Sequence, residues 1–176
     1  MFLRDLRLKI WIHHLQRKKR ILFFPRPVNL QKQIAGVRKI CICMPDDHKL
    51  FYEARSCIKE IRQKNLRVTL VLNKDLELLA EHSGKTSVYP HILKKPFPIH
   101  ESQLEGIPSG YDIAIDLSLR PTALTAYITG TRGKKLTAGF KSGDFDPFYT
   151  VLVKPSDNYY TSVMTMLSLA GLVEPE

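Results

Sequence analysis

Apolar and polar positions alternate along residues 111–117, with Ile113, Ile115 and Leu117 on one side and Ala114 and Asp116 on the other. A period of two predicts a strand. Pro121 then opens a helix, Leu124, Tyr127 and Ile128 fall at helical spacing, Gly130 ends it, and a strand runs on to Phe140. Residues 111–140 thus read as one βαβ unit. Upstream, residues 37–44 predict a first strand and residues 48–65 a helix. Its Leu50, Phe51, Ala54, Cys57, Ile58 and Ile61 keep to i, i+3, i+4, i+7 spacing. Residues 66–72, rich in branched side chains, predict a second strand. A short helix is expected over 75–82, a short strand near Val88, and otherwise loop with one helical turn through the prolines and glycines of 83–110. Residues 148–153 read as a further strand. A last helix is capped by Ser156 or Asp157, turns Tyr160, Val163, Met164, Leu167 and Ala170 inward, and closes at Gly171. Strands and helices alternate throughout. The economical fold is α/β: a Rossmann-like, mainly parallel sheet with helices on both faces.

Ahead of it, residues 2–20 predict a basic helix with Phe2, Leu3, Leu6, Ile10, Trp11 and Leu15 as apolar positions and Arg17, Lys18, Lys19 and Arg20 as a cationic end. The expected organisation is a basic helix and connector over 1–36, then a single domain over 37–173. Charge sharpens that division. Residues 1–39 hold eleven Lys or Arg against one acid, whereas the rest balances sixteen against sixteen, so the net +10 lies in the arm and the first residues of the strand that follows it. Three uses of the arm stay open: a helix docked on the domain with solvated charges, an anionic membrane surface, or nucleic acid. For the membrane, Arg4, Arg7, Arg17, Lys18, Lys19 and Arg20 are the candidate contacts, with Trp11 as interfacial anchor. Nucleic acid is disfavoured, because aromatics are not interleaved with the basic residues for stacking.

At 176 residues and 44% apolar, the chain suffices for one folded core. Cys41 and Cys43, two apart on a strand, cannot pair without strain, which fits a reducing cytoplasm. No cleavable leader and no membrane span is expected, since Arg4, Asp5, Arg7 and Lys9 interrupt the first apolar residues.

In an open α/β sheet, ligands sit beyond the carboxyl ends of the strands. That rule selects Asp46, Asp47 and His48 after the first strand, Asn73 and Lys74 after the second, Asp116, Ser118 and Arg120 after the central one, then Lys141 and Ser142. Converging carboxylates and a cation can hold a hydroxylated substrate or take its proton. Equally, Asp46 and Asp47 can cap the next helix. Asp116 draws notice because an ionised carboxylate in an apolar strand is costly unless paired, with loop amides or Arg120 as partners or a ligand as its target. Residues 130–135 offer a loop whose amides can cradle an anion or merely be solvated. Gly84-Lys85-Thr86 mimics a P-loop tail, but Leu79 stands where its first glycine is required. No GxGxxG follows the first strand; Cys41, Cys43 and His48 can be imagined as metal ligands, but buried cysteine is far commoner as a small hydrophobe. No cofactor or metal is called for.

Against these residues a resemblance emerges. Tyr111-Asp112-Ile113-Ala114-Ile115-Asp116-Leu117, the Ala- and Leu-rich helix, Ile128-Thr129-Gly130, Ala138-Gly139-Phe140 and the stretch from Asn158 to Leu172 resemble the N-terminal domain of the glycosyltransferase family 9 enzymes, the lipopolysaccharide heptosyltransferases. That family has the two-domain GT-B architecture. Its first loop carries a Gly-Asp pair whose aspartate is the base; Asp47 aligns with it, without the glycine. The resemblance implies an acceptor-binding half, with residue 176 falling where a nucleotide-sugar domain would begin. The chain is also similar to short single-domain bacterial proteins with a basic N-terminal helix and an "IDLS" strand. The resulting expectation is a non-catalytic binding or accessory module at the cytoplasmic membrane face. Alternatives are an acceptor-binding subunit that works with a separate donor-binding chain, with Asp47 as base and Asp116 and Arg120 placing the acceptor, or an RNA-associated module.

Overall fold

The structure, a computed structural model, describes residues 2–18, 20–21, 29–61, 66–79, 86–91, 98–99, 101–104 and 106–174. Its helices are α1 (Phe2–Arg17), α2 (Leu30–Ile34), α3 (His48–Lys59), α4 (Ala123–Arg132) and α5 (Tyr159–Leu169). The strands are β1 (Lys39–Cys43), β2 (Arg67–Asn73), β3 (Thr86–His91), β4 (Tyr111–Asp116), β5 (Gly133–Phe140) and β6 (Val151–Val153). The six strands form one sheet in the order β3-β2-β1-β4-β5-β6, and every neighbouring pair is parallel. This is the Rossmann-like α/β order, with its reversal between β1 and β4.

Strand alternation decides which core each side chain joins. Ile40, Ile42 and Met44 of β1 and its extension join Ile113, Ile115 and Leu117 beneath α3 and α5, where Phe51, Ala54, Val163, Met166 and Leu167 are buried. Cys41, Cys43 and Ala114 point the other way, beneath α4. Burial on both faces is why these strands are apolar throughout.

The second core includes the N-terminal arm. Leu8, Ile12 and Leu15 of α1 are buried with Leu124, Tyr127 and Ile128 of α4. Trp11 stacks on Tyr127 at 5.5 Å between ring centroids and packs against Phe148 at the same distance. The helix predicted at the N-terminus is therefore docked. Its packing side differs from expectation: Leu6 and Ile10 are exposed, while Leu8 and Ile12 are buried in their place. Apolar residues lie all round this helix, so spacing alone does not select the docked side.

Several local expectations are corrected. Gly130 does not end α4, which continues to Arg132; a Cβ at Gly130 would lie 2.6 Å from Phe148 Cδ1, so the glycine makes room for that ring. β5 starts at Gly133 directly after Arg132, so residues 130–135 form no anion-cradling loop. The strand expected over 148–153 is shorter; Phe148 ends a 3₁₀ turn that begins at Asp146. Asn158, not Ser156 or Asp157, caps α5, accepting the Thr161 N–H at 3.1 Å. Tyr159 is the inward tyrosine of α5, and Tyr160 is exposed. The short helix expected over 75–82 is a 3₁₀ segment at Lys74–Leu79, and residues 80–82 lie outside the described residues, as do most of the Gly84-Lys85-Thr86 motif and residues 62–65.

Candidate functional site

The carboxyl ends of β1 and β4 meet at the reversal of strand order. Cys43 is in register with Asp116, and the Leu117 N–H donates to the Cys43 carbonyl at 3.0 Å. The turn leading to α3 and the turn leading to α4 therefore leave the same rim, one carrying Asp46, Asp47 and His48, the other Ser118 and Arg120.

Asp47 is the N-cap of α3. Its backbone is extended, and its Oδ1 accepts the Leu50 N–H at 3.0 Å. A capping carboxylate satisfies an amide that the first helical turn leaves without a partner and complements the positive end of the helix dipole. Asp46, Asp47 and His48 are exposed, and so is Arg120.

Asp116 is fully buried. Its Oδ2 accepts the Tyr149 hydroxyl at 2.9 Å, and its Oδ1 accepts the Ser118 N–H at 2.9 Å. Desolvation raises its pKa, opposed by Ser118, Thr125 and Tyr149. Of the partners foreseen for Asp116, the loop amide is realised. Beside it, the Cys43 thiol is pushed well up by Cys41, by burial and by the Asp116 charge. The Tyr159 hydroxyl donates to the Leu117 carbonyl at 2.7 Å and ties α5 to the same rim. This knot of Asp116, Ser118, Thr125, Tyr149 and Tyr159 is a polar plug under the rim.

Farther along, the Ser142 and Gly143 N–H groups both donate to Asp146 Oδ1, at 2.8 and 2.9 Å. This pair of convergent loop amides after β5 thus already holds a carboxylate from its own turn. Ser142 is committed through its amide, while Lys141 is exposed. At the end of β2, Asn73 is half-buried and Lys74 exposed.

Topology thus gathers Asp46, Asp47, His48, Ser118 and Arg120 on one rim, and it separates them chemically. Asp116 and Ser118 face the interior. Tyr149 and Thr125 are the partners of Asp116 that sequence reasoning missed, as it missed the bond from Tyr159 to the Leu117 carbonyl. The signal was indirect: a carboxylate in an apolar strand needs donors, yet nothing local says which residue supplies them.

Of the proposed membrane contacts, Arg7, Arg17, Lys18 and Arg20 are exposed. Arg20 also lies against the Tyr127 hydroxyl, opposing the rise in that phenol's pKa caused by burial, and Tyr127 donates to Glu101 at 3.4 Å. Glu101 in turn pairs with Arg132 at 2.6 Å. Trp11 is turned toward the domain. The side chain of Arg4, and Lys19, lie outside the described residues. Among the described residues no helix is long and apolar enough to cross a membrane, and no group of three or more His, Cys, Asp or Glu is placed to hold a metal.

No family model, curated protein or solved structure matches the chain.

Proposed function

We propose that this protein is a non-catalytic binding or accessory module at the cytoplasmic face of a bacterial membrane, related to the acceptor-binding half of a heptosyltransferase. The observation that carries the reading is the engagement of Asp116 and Asp47. Asp116 is sealed between Tyr149 and Ser118, and Asp47 caps α3. A general base must reach the hydroxyl whose proton it takes; Asp116 faces protein donors instead. The Rossmann order and the cationic arm are consistent with this role, and three free cysteines suit a reducing compartment.

One observation favours the enzymatic alternative: Asp47 is exposed on the rim and, among the described residues, caps through Oδ1 alone. In that reading the chain is an acceptor-binding subunit partnered by a separate donor-binding chain. Asp47→Asn discriminates, because asparagine caps a helix about as well as aspartate and the fold is preserved. Nucleotide-sugar donors and core-oligosaccharide acceptors are incubated with the wild type and the variant, alone and with a donor-binding GT-B chain. The accessory role predicts acceptor binding by calorimetry, equal in both proteins, and no transfer. Transfer that disappears in Asp47→Asn would establish the enzymatic reading.

A further inference from the structure

Docking leaves α1 with a second apolar side. Leu8, Ile12 and Leu15 are buried against α4, whereas Leu6 and Ile10 are 46% and 61% exposed. At ~100° per residue, Leu6 and Ile10 stand on the opposite side of the helix from the buried three. Arg7 and Lys9 flank them, and Arg17 and Lys18 stand at the end of the helix; all four are exposed. No carboxylate occurs among the described side chains of the arm.

We infer that this outward side of α1, with Leu6 and Ile10 between Arg7 and Lys9 and with Arg17 and Lys18 at its end, docks on an anionic lipid bilayer surface while the inward side stays packed on α4. The inference rests on the membrane-face part of the proposed function and names the surface that would serve it. Charge complementarity selects the occupant. Four cations around two aliphatic side chains match anionic headgroups over an acyl boundary, each cation near the surface contributing about fivefold in partitioning. A second copy would bring like charges together. Single-stranded nucleic acid binds by stacking on aromatic rings, and the arm's Trp11 is stacked on Tyr127 instead. Trp11 is accordingly not the anchor: its ring packs on Tyr127 and Phe148.

The test uses the full chain and vesicles of phosphatidylcholine with or without phosphatidylglycerol. The wild type should sediment with the anionic vesicles, and Leu6→Ser/Ile10→Ser should weaken partitioning about tenfold with thermal stability unchanged. Arg7→Gln/Lys9→Gln should weaken it more than tenfold. Trp11 is the only tryptophan, so its emission reports the arm directly, and brominated acyl chains should leave it unquenched. Quenching of Trp11 would mean that the arm turns over on the membrane and would overturn the inference. So would wild-type partitioning by Leu6→Ser/Ile10→Ser alongside loss in Arg17→Gln/Lys18→Gln, an outcome that spares the membrane reading itself. A wild type that ignores anionic vesicles removes both. Salt-sensitive binding to RNA without vesicle binding, or an oligomeric state altered by Leu6→Ser/Ile10→Ser without vesicle binding, would likewise replace the bilayer with another occupant.

Discussion

The Tyr149 hydroxyl meets Asp116 Oδ2 at 2.9 Å, where the carboxylate is fully buried and the tyrosine nearly so. Asp116 closes the central strand and Tyr149 lies just before β6, so the bond fastens the reversal point of the sheet to its far edge. Burial raises the pKa of both groups, and the Asp116 charge pushes the tyrosine further up. Both shifts follow first from burial, which keeps this polar contact out of solvent.

Removing the hydroxyl alone isolates that contact. At pH values above the folded-state pKa of Asp116, Tyr149→Phe should destabilise the fold by about 1.5–3 kcal/mol, the range for a hydrogen bond to a charged group. Urea unfolding measures it. As acid protonates Asp116 the bond becomes neutral, and the deficit should shrink toward about 1 kcal/mol. A pH-independent deficit would mean that the carboxylate is not the partner that matters.

Gly139 supports the same tyrosine from β5. A Cβ there would stand 2.7–2.8 Å from Tyr149 Cζ, Cε1 and Cε2. Those atoms belong to a rigid buried ring, so Gly139→Ala must displace it from Asp116. The expected cost is about 1–3 kcal/mol, as for overpacking. Combined with Tyr149→Ala the alanine should cost less than it does alone, and a double-mutant cycle measures the difference as a coupling of about 1 kcal/mol. Strict additivity would show that the two residues do not share this contact.

These contacts show where sequence pattern is informative and where it stops. The alternation of Ile113, Ile115 and Leu117 with Ala114 and Asp116 was readable because both faces of the sheet are covered and each takes its own residues. Asp116 was readable as an anomaly, by the cost of its charge. Tyr149 was not, because it comes 33 residues later and no periodicity links them. Gly130 looked like a helix stop since glycine commonly serves as one, yet tertiary packing of Phe148 uses it instead. Three polar residues in a row before α5 all had capping chemistry, and only backbone geometry selects Asn158. The docked side of α1 was hidden for a different reason. Leu6, Leu8, Ile10, Trp11, Ile12 and Leu15 surround the helix, and the partner rather than the period chooses among them.

Asp112 and Asp116 lie four residues apart on one strand and should give opposite pH dependences. At Asp112, burial raises the pKa, but the N–H groups of Arg38 and Lys39, at 2.9 and 3.1 Å, and the charges of Lys135 and Lys39 outweigh it, so the net shift is downward. A lowered folded-state pKa contributes stability that is present above the ordinary value of 3.8 and lost as pH falls through the folded value. Asp116 is raised, so its contribution is present below 3.8 and lost as pH rises through its folded value. Asp112→Asn should therefore cost about 1 kcal/mol at neutral pH and have less effect in acid. Asp116→Asn should compare worst with the wild type in acid and best at neutral pH. Chemical denaturation of the three proteins across pH 3 to 7 checks the crossing, and parallel profiles would contradict it.

Adjacent residues of the arm provide the last comparison. Trp11 stacks on Tyr127 with rings inclined by 21°, and Ile10, one residue before it, is 61% exposed. Trp11→Ala removes a half-buried ring and two aromatic contacts, and should cost about 2 kcal/mol by thermal or urea unfolding followed by far-ultraviolet circular dichroism. Ile10→Ala removes an exposed side chain and improves helix propensity, so its effect should stay within about 0.5 kcal/mol. The sum of such contacts makes the arm part of the core: Leu8, Ile12 and Leu15 bury with α4, and α4 is covered on nearly every side. Leu8→Ala should then resemble Trp11→Ala, at about 2–3 kcal/mol. If Ile10→Ala proved the costly change and Leu8→Ala the silent one, the helix would be docked by its other side, and the surface left for a membrane would be the one carrying Leu8 and Trp11.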